Sequence, residues 1–350
     1  ISLKVSTIIM LPILFGSLIF GIESSWVQST FALSLDTWRM ALIVYIFAAS
    51  VLPVWLLLQS RDYLASYMLY FSVFIGGVGM IFGGASYEVK LPAFKGFVTA
   101  SGDWLWPLLF ITVACGAISG FHSLVASGTT SKQLKRETDA VPVGYGAMLL
   151  EGVVGVIALG TIMMSGEMLQ GGPTVVYGNG LGQFASLLGI SPRVGTALGL
   201  LALNSFILTS LDTATRLARY QLQEFTGMSL NKYLATAISV GVALALIFVK
   251  TGKIDAWQMI WPVFGATNQL VAAIALLAMG VWVIRSLKKS AGFIMYPMAF
   301  MLVTTIVALV QMIAANLNNY IVSGISTVLL ILTVLLLKEA YAALKAAKAE

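Results

Sequence analysis

Stretches of about 18 or more predominantly apolar residues recur along the whole chain, and each is long enough to cross roughly 30 Å of hydrocarbon as a helix. Ten spans are predicted: 5–22, 38–59, 62–84, 104–127, 143–165, 193–217, 232–249, 256–284, 291–315 and 319–340. Three connections are longer. Residues 85–103 and 166–192 read as polar loops, and 128–142 (GTTSKQLKRETDAVP) carries most of the local charge. The last span runs into KEAYAALKAAKAE, rich in the strong helix formers Ala, Leu, Lys and Glu, so residues 341–350 are expected to form a cytoplasmic tail. The predicted fold is all-α, a polytopic bundle with residues 1–350 in one transmembrane domain.

The span at 104–127, WLWPLLFITVACGAISGFHSLVAS, departs from the others. Gly116, Ser119, Gly120, His122 and Ser123 crowd its second half. Small residues weaken a helix there and expose backbone, which is the mark of a broken helix lining a substrate path. The competing reading is close helix–helix packing through small residues. Histidine is the side-chain type that titrates near neutral pH, so His122 is a candidate for proton coupling or substrate binding.

Composition agrees with the membrane reading. The chain is 59% hydrophobic and 10% charged, against about 25% charged in a soluble domain. The formal charge of +6 therefore reads as cytoplasmic-loop lysine and arginine rather than a nucleic-acid surface. With the residue-4 end inside, 14 of the 20 basic residues fall on the cytoplasmic side, among them Arg61, Arg216 and Arg219. The one cysteine, Cys115, rules out a disulfide within the chain and reads as a small packing residue. The chain opens on Ile1 and runs straight into a span, with no signal peptide, so the N-terminal part of a longer protein is expected to lie outside it.

Polar groups inside spans are costly and mark function by default. Glu151, about two turns into its span, could take up a proton, or could instead fix the bundle through a hydrogen bond or ion pair. Residues 202–225 place Asn204, Ser205, Thr209, Ser210, Asp212 and Thr213 on one helix. Thr209 and Ser210, with Asp212, could supply hard oxygen ligands to a cation. Asp212 could equally pair with Arg216 at i+4. In 257–276, Pro262 and Gly265 are expected to interrupt the helix, with Asn268 and Gln269 either satisfying the freed backbone or lining the cavity. No dinucleotide or phosphate-loop motif follows a strand-like segment, and a single histidine makes no His-rich metal site. The expectation is a non-enzyme without a cofactor, driven by an H+ or Na+ gradient.

CGAISGFHSLVASGTTSKQL (115–134), VGYGAMLLEG (143–152), TSLDTATRLARYQLQE (209–224) and WPVFGATNQLVAAIAL (261–276) resemble the carbon starvation protein A family. ASVLPVWLLLQSRDYLASYMLY (49–70) resembles that family's span ending before an Arg-Asp-Tyr loop. The resemblance covers about residues 38–285. It implies an inner-membrane protein of peptide uptake under carbon limitation, with some relatives carrying pyruvate with protons. It also implies the five-plus-five inverted repeat of LeuT-type transporters. Residues 104–127 would then be the broken first helix of the second repeat and 193–217 the eighth helix, where Thr209 and Ser210 match hydroxyls that hold a coupling sodium. The family's His- and Gly-rich N-terminal broken helix, the inverted-repeat partner of 104–127, is not in this sequence.

The resulting expectation is a secondary active transporter in a bacterial inner membrane. Peptides are the first-choice substrate and pyruvate-like carboxylates the second. Alternating access would rock around breaks at Gly116–Gly120 and Pro262–Gly265, with His122, Glu151 and Asp212 handling protons. Its partners are the small-molecule substrate and the bilayer, not nucleic acid, and the sequence sets no oligomeric state. The rival from another class is a membrane nutrient sensor.

Overall fold

The computed structural model describes residues 3–83, 87–99, 102, 104–113, 116, 118–165, 172–251 and 254–349. Cys115 lies outside them. The helices are α1 (Leu3–Glu23), α2 (Ser25–Thr30), α3 (Leu35–Val51), α4 (Val54–Phe82), α5 (Leu105–Thr112), α6 (Gly120–Gly128), α7 (Ala147–Ser165), α8 (Gly172–Ser186), α9 (Pro192–Phe225), α10 (Lys232–Phe248), α11 (Ala256–Ser286), α12 (Gly292–Ala315) and α13 (Tyr320–Ala349). A two-residue hairpin, β1 (Lys250–Thr251) with β2 (Ile254–Asp255), precedes α11.

Among the described residues, seven helices are long and apolar enough to cross a membrane, and Lys232–Phe248 is a shorter apolar helix. The chain is thus a multi-pass membrane protein. Two of the remaining expected spans end early for visible reasons. The stretch 38–59 stops at Val51 because Leu52 precedes Pro53 and takes an extended ψ of 152°, as a residue before proline prefers. The stretch 104–127 divides into α5 and α6.

The chain forms two compact units, one of residues 1–93 and 141–244, the other of residues 94–140 and 245–350. In the first, α4, α8 and α9 pack around Met68, Ile75, Leu181, Phe184, Ala185, Leu198 and Ala202. Helix α8 corrects the loop expected at 166–192. Its glycines have low helix propensity, which favours a loop in isolation. Packing overrides this preference. A Cβ on Gly178 would stand 2.8 Å from Leu200 Cγ, and one on Gly182 would stand 2.3 Å from Thr196 Oγ1. Only glycine lets α8 lie this close to α9.

In the second unit, α11, α12 and α13 share a core of Leu270, Ala273, Met298 and Leu302, with α5 and α6 packed beside them. Helix α11 runs unbroken through Pro262 and Gly265, contrary to the expected interruption. Membrane helices tolerate an internal proline when neighbours satisfy the freed backbone. Gly265 serves close packing instead. A Cβ there would stand 2.5 Å from Ile111 Cγ2, so glycine admits α5 against α11.

Candidate functional site

The second unit contains the helix break. Helices α5 and α6 are about 12 and 13 Å long, so neither spans a bilayer alone. Their facing ends expose carbonyls and N–H groups that a continuous helix would pair internally. Two consecutive residues of α11 supply the partners. Gln269 Nε2 donates to the Phe110 carbonyl of α5 at 2.8 Å, and its Oε1 accepts from Thr305 Oγ1 at 3.0 Å. Asn268 Oδ1 accepts from the Phe121 N–H at the start of α6 at 2.9 Å, and from Ser119 Oγ at 3.4 Å. Neighbouring residues on a helix point about 100° apart, so one reaches α5 while the other reaches α6. Asn268 and Gln269 are 4% and 3% exposed, so leaving these ends unpaired would strand buried polar groups.

Ser119 completes the restart. Its backbone is extended, with φ −110° and ψ 122°, and its Oγ accepts from the His122 N–H at 3.2 Å in an N-cap arrangement. Ser123 Oγ donates to the Gly120 carbonyl at 2.7 Å. A Cβ on Gly120 would stand 2.3 Å from the Asn268 carbonyl oxygen, so the restart sits directly on the backbone of α11. Gly116 and the His122 side chain are exposed.

A second polar cluster lies in the first unit. Asp212 of α9 is wholly buried, and its Oδ2 accepts from Arg61 Nη1 at 2.6 Å and from Tyr45 OH at 2.9 Å. Arg61 Nη1 also donates to Tyr45 OH. Arg61 Nη2 donates to Asp62 Oδ1 at 2.9 Å and to Thr209 Oγ1 at 3.1 Å, while Thr209 Oγ1 donates to Asp62 Oδ1 at 2.8 Å. One guanidinium therefore binds α4 to both ends of a one-turn segment of α9. Its planar fork of donors suits two acceptor sets at once.

This geometry revises three readings. Asp212 pairs with Arg61, not with Arg216 at i+4. Arg216 Nη2 instead donates to the carbonyls of Ala49 and Leu52 at 2.6 and 3.1 Å, and Arg219 Nη1 donates to that of Ser50 at 2.6 Å. The two cations thus cap the C-terminus of α3, where the helix dipole favours positive charge. Arg61, Arg216 and Arg219 are accordingly not loop charges: Arg61 is inside α4, in a helical Arg-Asp-Tyr, and the other two are buried in α9.

Ser210 and Asn204 are exposed on α9, so Thr209 and Ser210 do not turn to the same neighbours. Glu151 is exposed on α7 and makes no side-chain hydrogen bond or ion pair among the described residues. The candidates fall into two sets: Gly116, Ser119, Gly120, His122, Ser123, Asn268 and Gln269 belong to one unit, and Glu151, Asn204, Thr209, Ser210 and Asp212 to the other. Sequence reasoning did not select Tyr45, Arg61 or Asp62. The adjacent charges of Arg61-Asp62, beside two long apolar stretches, are the available signal, and in isolation they read as a loop.

The family model described as "Carbon starvation protein CstA" matches residues 2–170 and 164–308. The chain is 32% identical over 336 residues to the "Peptide transporter CstA" of Bacillus subtilis, covering 80% of this chain and 55% of the relative. It is 30% identical over 344 residues to the protein of the same name in Escherichia coli, covering 78% and 48%. It is also 32% identical over 345 residues to the "Pyruvate/proton symporter BtsT" of Escherichia coli, covering 73% and 47%. The chain spans about half the length of these relatives. No solved structure matches. With a broken span, its restart motif and the family model all falling on the same stretch of sequence, the chain belongs to the carbon starvation protein CstA family.

Proposed function

We propose that this chain is part of a secondary active transporter that imports small carbon sources, with short peptides as substrate, through a bacterial inner membrane. The observation that carries this reading is the α5–α6 break, whose two ends are held by Gln269 and Asn268. A span kept open at its middle by dedicated side chains presents polar backbone where an anchor needs none, and transporters use such interruptions to hold substrate. The relatives named peptide transporters support the substrate class. Gly116 and His122, exposed at the break, are proposed to line the path with Ser119 and Ser123. Glu151 is proposed as a path carboxyl. A LeuT-type inverted repeat is the architecture this reading expects, with α5–α6 as a broken helix.

A second substrate, pyruvate, is favoured by the likeness to a pyruvate/proton symporter. Peptides and pyruvate share a carboxylate, so one site could serve either. The coupling ion is proposed to be H+.

Uptake into proteoliposomes tests this. Labelled di- and tripeptides and labelled pyruvate should accumulate above the external concentration when an inward proton gradient is imposed, and only equilibrate when it is collapsed. Saturable ligand binding without accumulation under any gradient would favour a nutrient sensor instead.

A further inference from the structure

A pocket of about 230 Å³ lies in the first unit, near the C-terminal ends of α4, α7 and α8. Met80 of α4, Met163 and Met164 of α7 and Phe184 of α8 form its walls, and the strap that follows α4 closes one side with Tyr87 and Val89. Three glycines shape it. A Cβ on Gly79 would stand 2.3 Å from Phe184 Cβ, one on Gly83 would stand 2.9 Å from Tyr87 Cδ2, and one on Gly160 would stand 3.1 Å from Met80 Sδ. The strap is pinned by its backbone, with the Lys90 and Leu91 N–H groups donating to the Met163 carbonyl at 3.0 and 3.4 Å. Tyr87 carries the sole hydroxyl among the lining side chains, and it donates to the Gln183 carbonyl at 2.6 Å.

We infer that this pocket takes the alkyl tail of a bilayer phospholipid, with a zwitterionic headgroup resting on the strap at Glu88 and Lys90. The site does not depend on the transporter reading.

Size and chemistry select the occupant. Packed interiors leave few voids larger than a water molecule. An apolar cavity of about 150 Å³ stays dry and binds benzene, whereas drug-sized ligands need about 300–1,000 Å³. At about 230 Å³ this pocket suits one arm of a larger molecule. With the Tyr87 hydroxyl engaged, the lining side chains offer a polar ligand only weakly accepting thioethers. Three unbranched methionines can instead adapt to a flexible chain. The surroundings face hydrocarbon. Helices α4 and α7 both belong to membrane-crossing stretches, and Ile81 and Phe82 extend the apolar surface beside the pocket, each 75% exposed. A tail can therefore enter from the bilayer without crossing water. The strap supplies the other half of the site. Side chains alternate along an extended chain, so with Tyr87 and Val89 turned to the pocket, Glu88 and Lys90 turn away from it. Both are exposed, and neither has an ion-pair partner among the described residues. They lie just past the end of a span, where headgroups sit. Lys90 complements the phosphate and Glu88 the ammonium, a pairing that a zwitterionic headgroup meets and an anionic one does not.

Photo-crosslinking of the lipid-reconstituted protein tests this, with a phosphatidylethanolamine that carries a diazirine at the end of one tail. Mass spectrometry should place adducts on Met80, Tyr87, Met163 or Met164 above the level found on the exposed apolar side chains of α13. Gly160→Leu fills the pocket against the flexible Met80 side chain, and should remove those adducts while leaving the ones on α13. Adducts spread evenly over both regions, or unchanged in Gly160→Leu, would overturn the inference. Should Gly160→Leu fail to fold, Val89→Trp on the exposed strap blocks the pocket instead, with the same outcomes expected. Unlabelled phosphatidylethanolamine should displace the pocket adducts better than phosphatidylglycerol does. Equal or better displacement by phosphatidylglycerol would overturn the zwitterionic headgroup. Displacement by a dileucine peptide would overturn the lipid assignment and give the pocket to a peptide side chain.

Discussion

Asp212 Oδ2 and Arg61 Nη1 stand 2.6 Å apart, joining two helices across 151 positions of sequence. Breaking such a buried pair by removing one partner leaves an uncompensated charge and costs about 3–5 kcal/mol, whereas replacing both partners with apolar groups is often close to neutral. Asp212 is wholly buried whereas Arg61 is 23% exposed and also pairs with Asp62, so Arg61→Met, which strands the Asp212 carboxylate, is expected to lower stability by about 3–5 kcal/mol, and the double variant Arg61→Met with Asp212→Leu to regain most of that loss. Thermal unfolding in detergent reads both. A double variant as unstable as the single would show that the cluster is held by something other than charge compensation.

The Asn268 and Gln269 amides hold opposite ends of one break. Asn268→Leu removes the acceptor for Phe121 N–H and should cost about 1–2 kcal/mol, in the range of a lost helix cap. Asn268→Asp keeps an oxygen in place and should melt closer to wild type. Equal melting of the two variants would mean that the amide oxygen does not brace α6.

Gly120 and Gly116 lie in the same interrupted segment but meet different surroundings. A Cβ at 120 would press on the α11 backbone, while one at 116 has nothing within 4 Å. Gly120→Ala should destabilise by about 1–3 kcal/mol, the cost of overpacking. Gly116→Ala should stay within about 0.5 kcal/mol, as exposed positions do. Unfolding of the two variants side by side gives the comparison, and equal losses would contradict the close α6–α11 approach.

His122 and Glu151 have exposed side chains that no described group holds in an ion pair. His122→Ala and Glu151→Gln should therefore leave the melting temperature nearly unchanged while reducing substrate uptake. A drop in melting with normal uptake would identify them as packing groups rather than path groups.

Some of this was legible from the chain alone. Gly116, Ser119 and Gly120 marked the position of the break, since helix weakness is a property of local residue types. The oxygens of 202–213 marked α9 as polar within an apolar span. Other features were not legible. The glycines of 172–186 read as a loop because their helix depends on the face of α9 they fit. Pro262 read as a break because a local stretch does not display the neighbours that let a helix continue past a proline. The partner of Asp212 read as Arg216, four residues away, because local spacing is all that a sequence displays.

That this chain lives in a membrane, and where one span fails, can be read from the order of its residues. Both follow from transfer energies and helix propensities that add up residue by residue along a local stretch. Which polar groups meet depends instead on how the helices pack. Arg61 reaches Asp212, and Gln269 reaches Phe110, because buried donors and acceptors must find partners and the nearest ones in space belong to other helices.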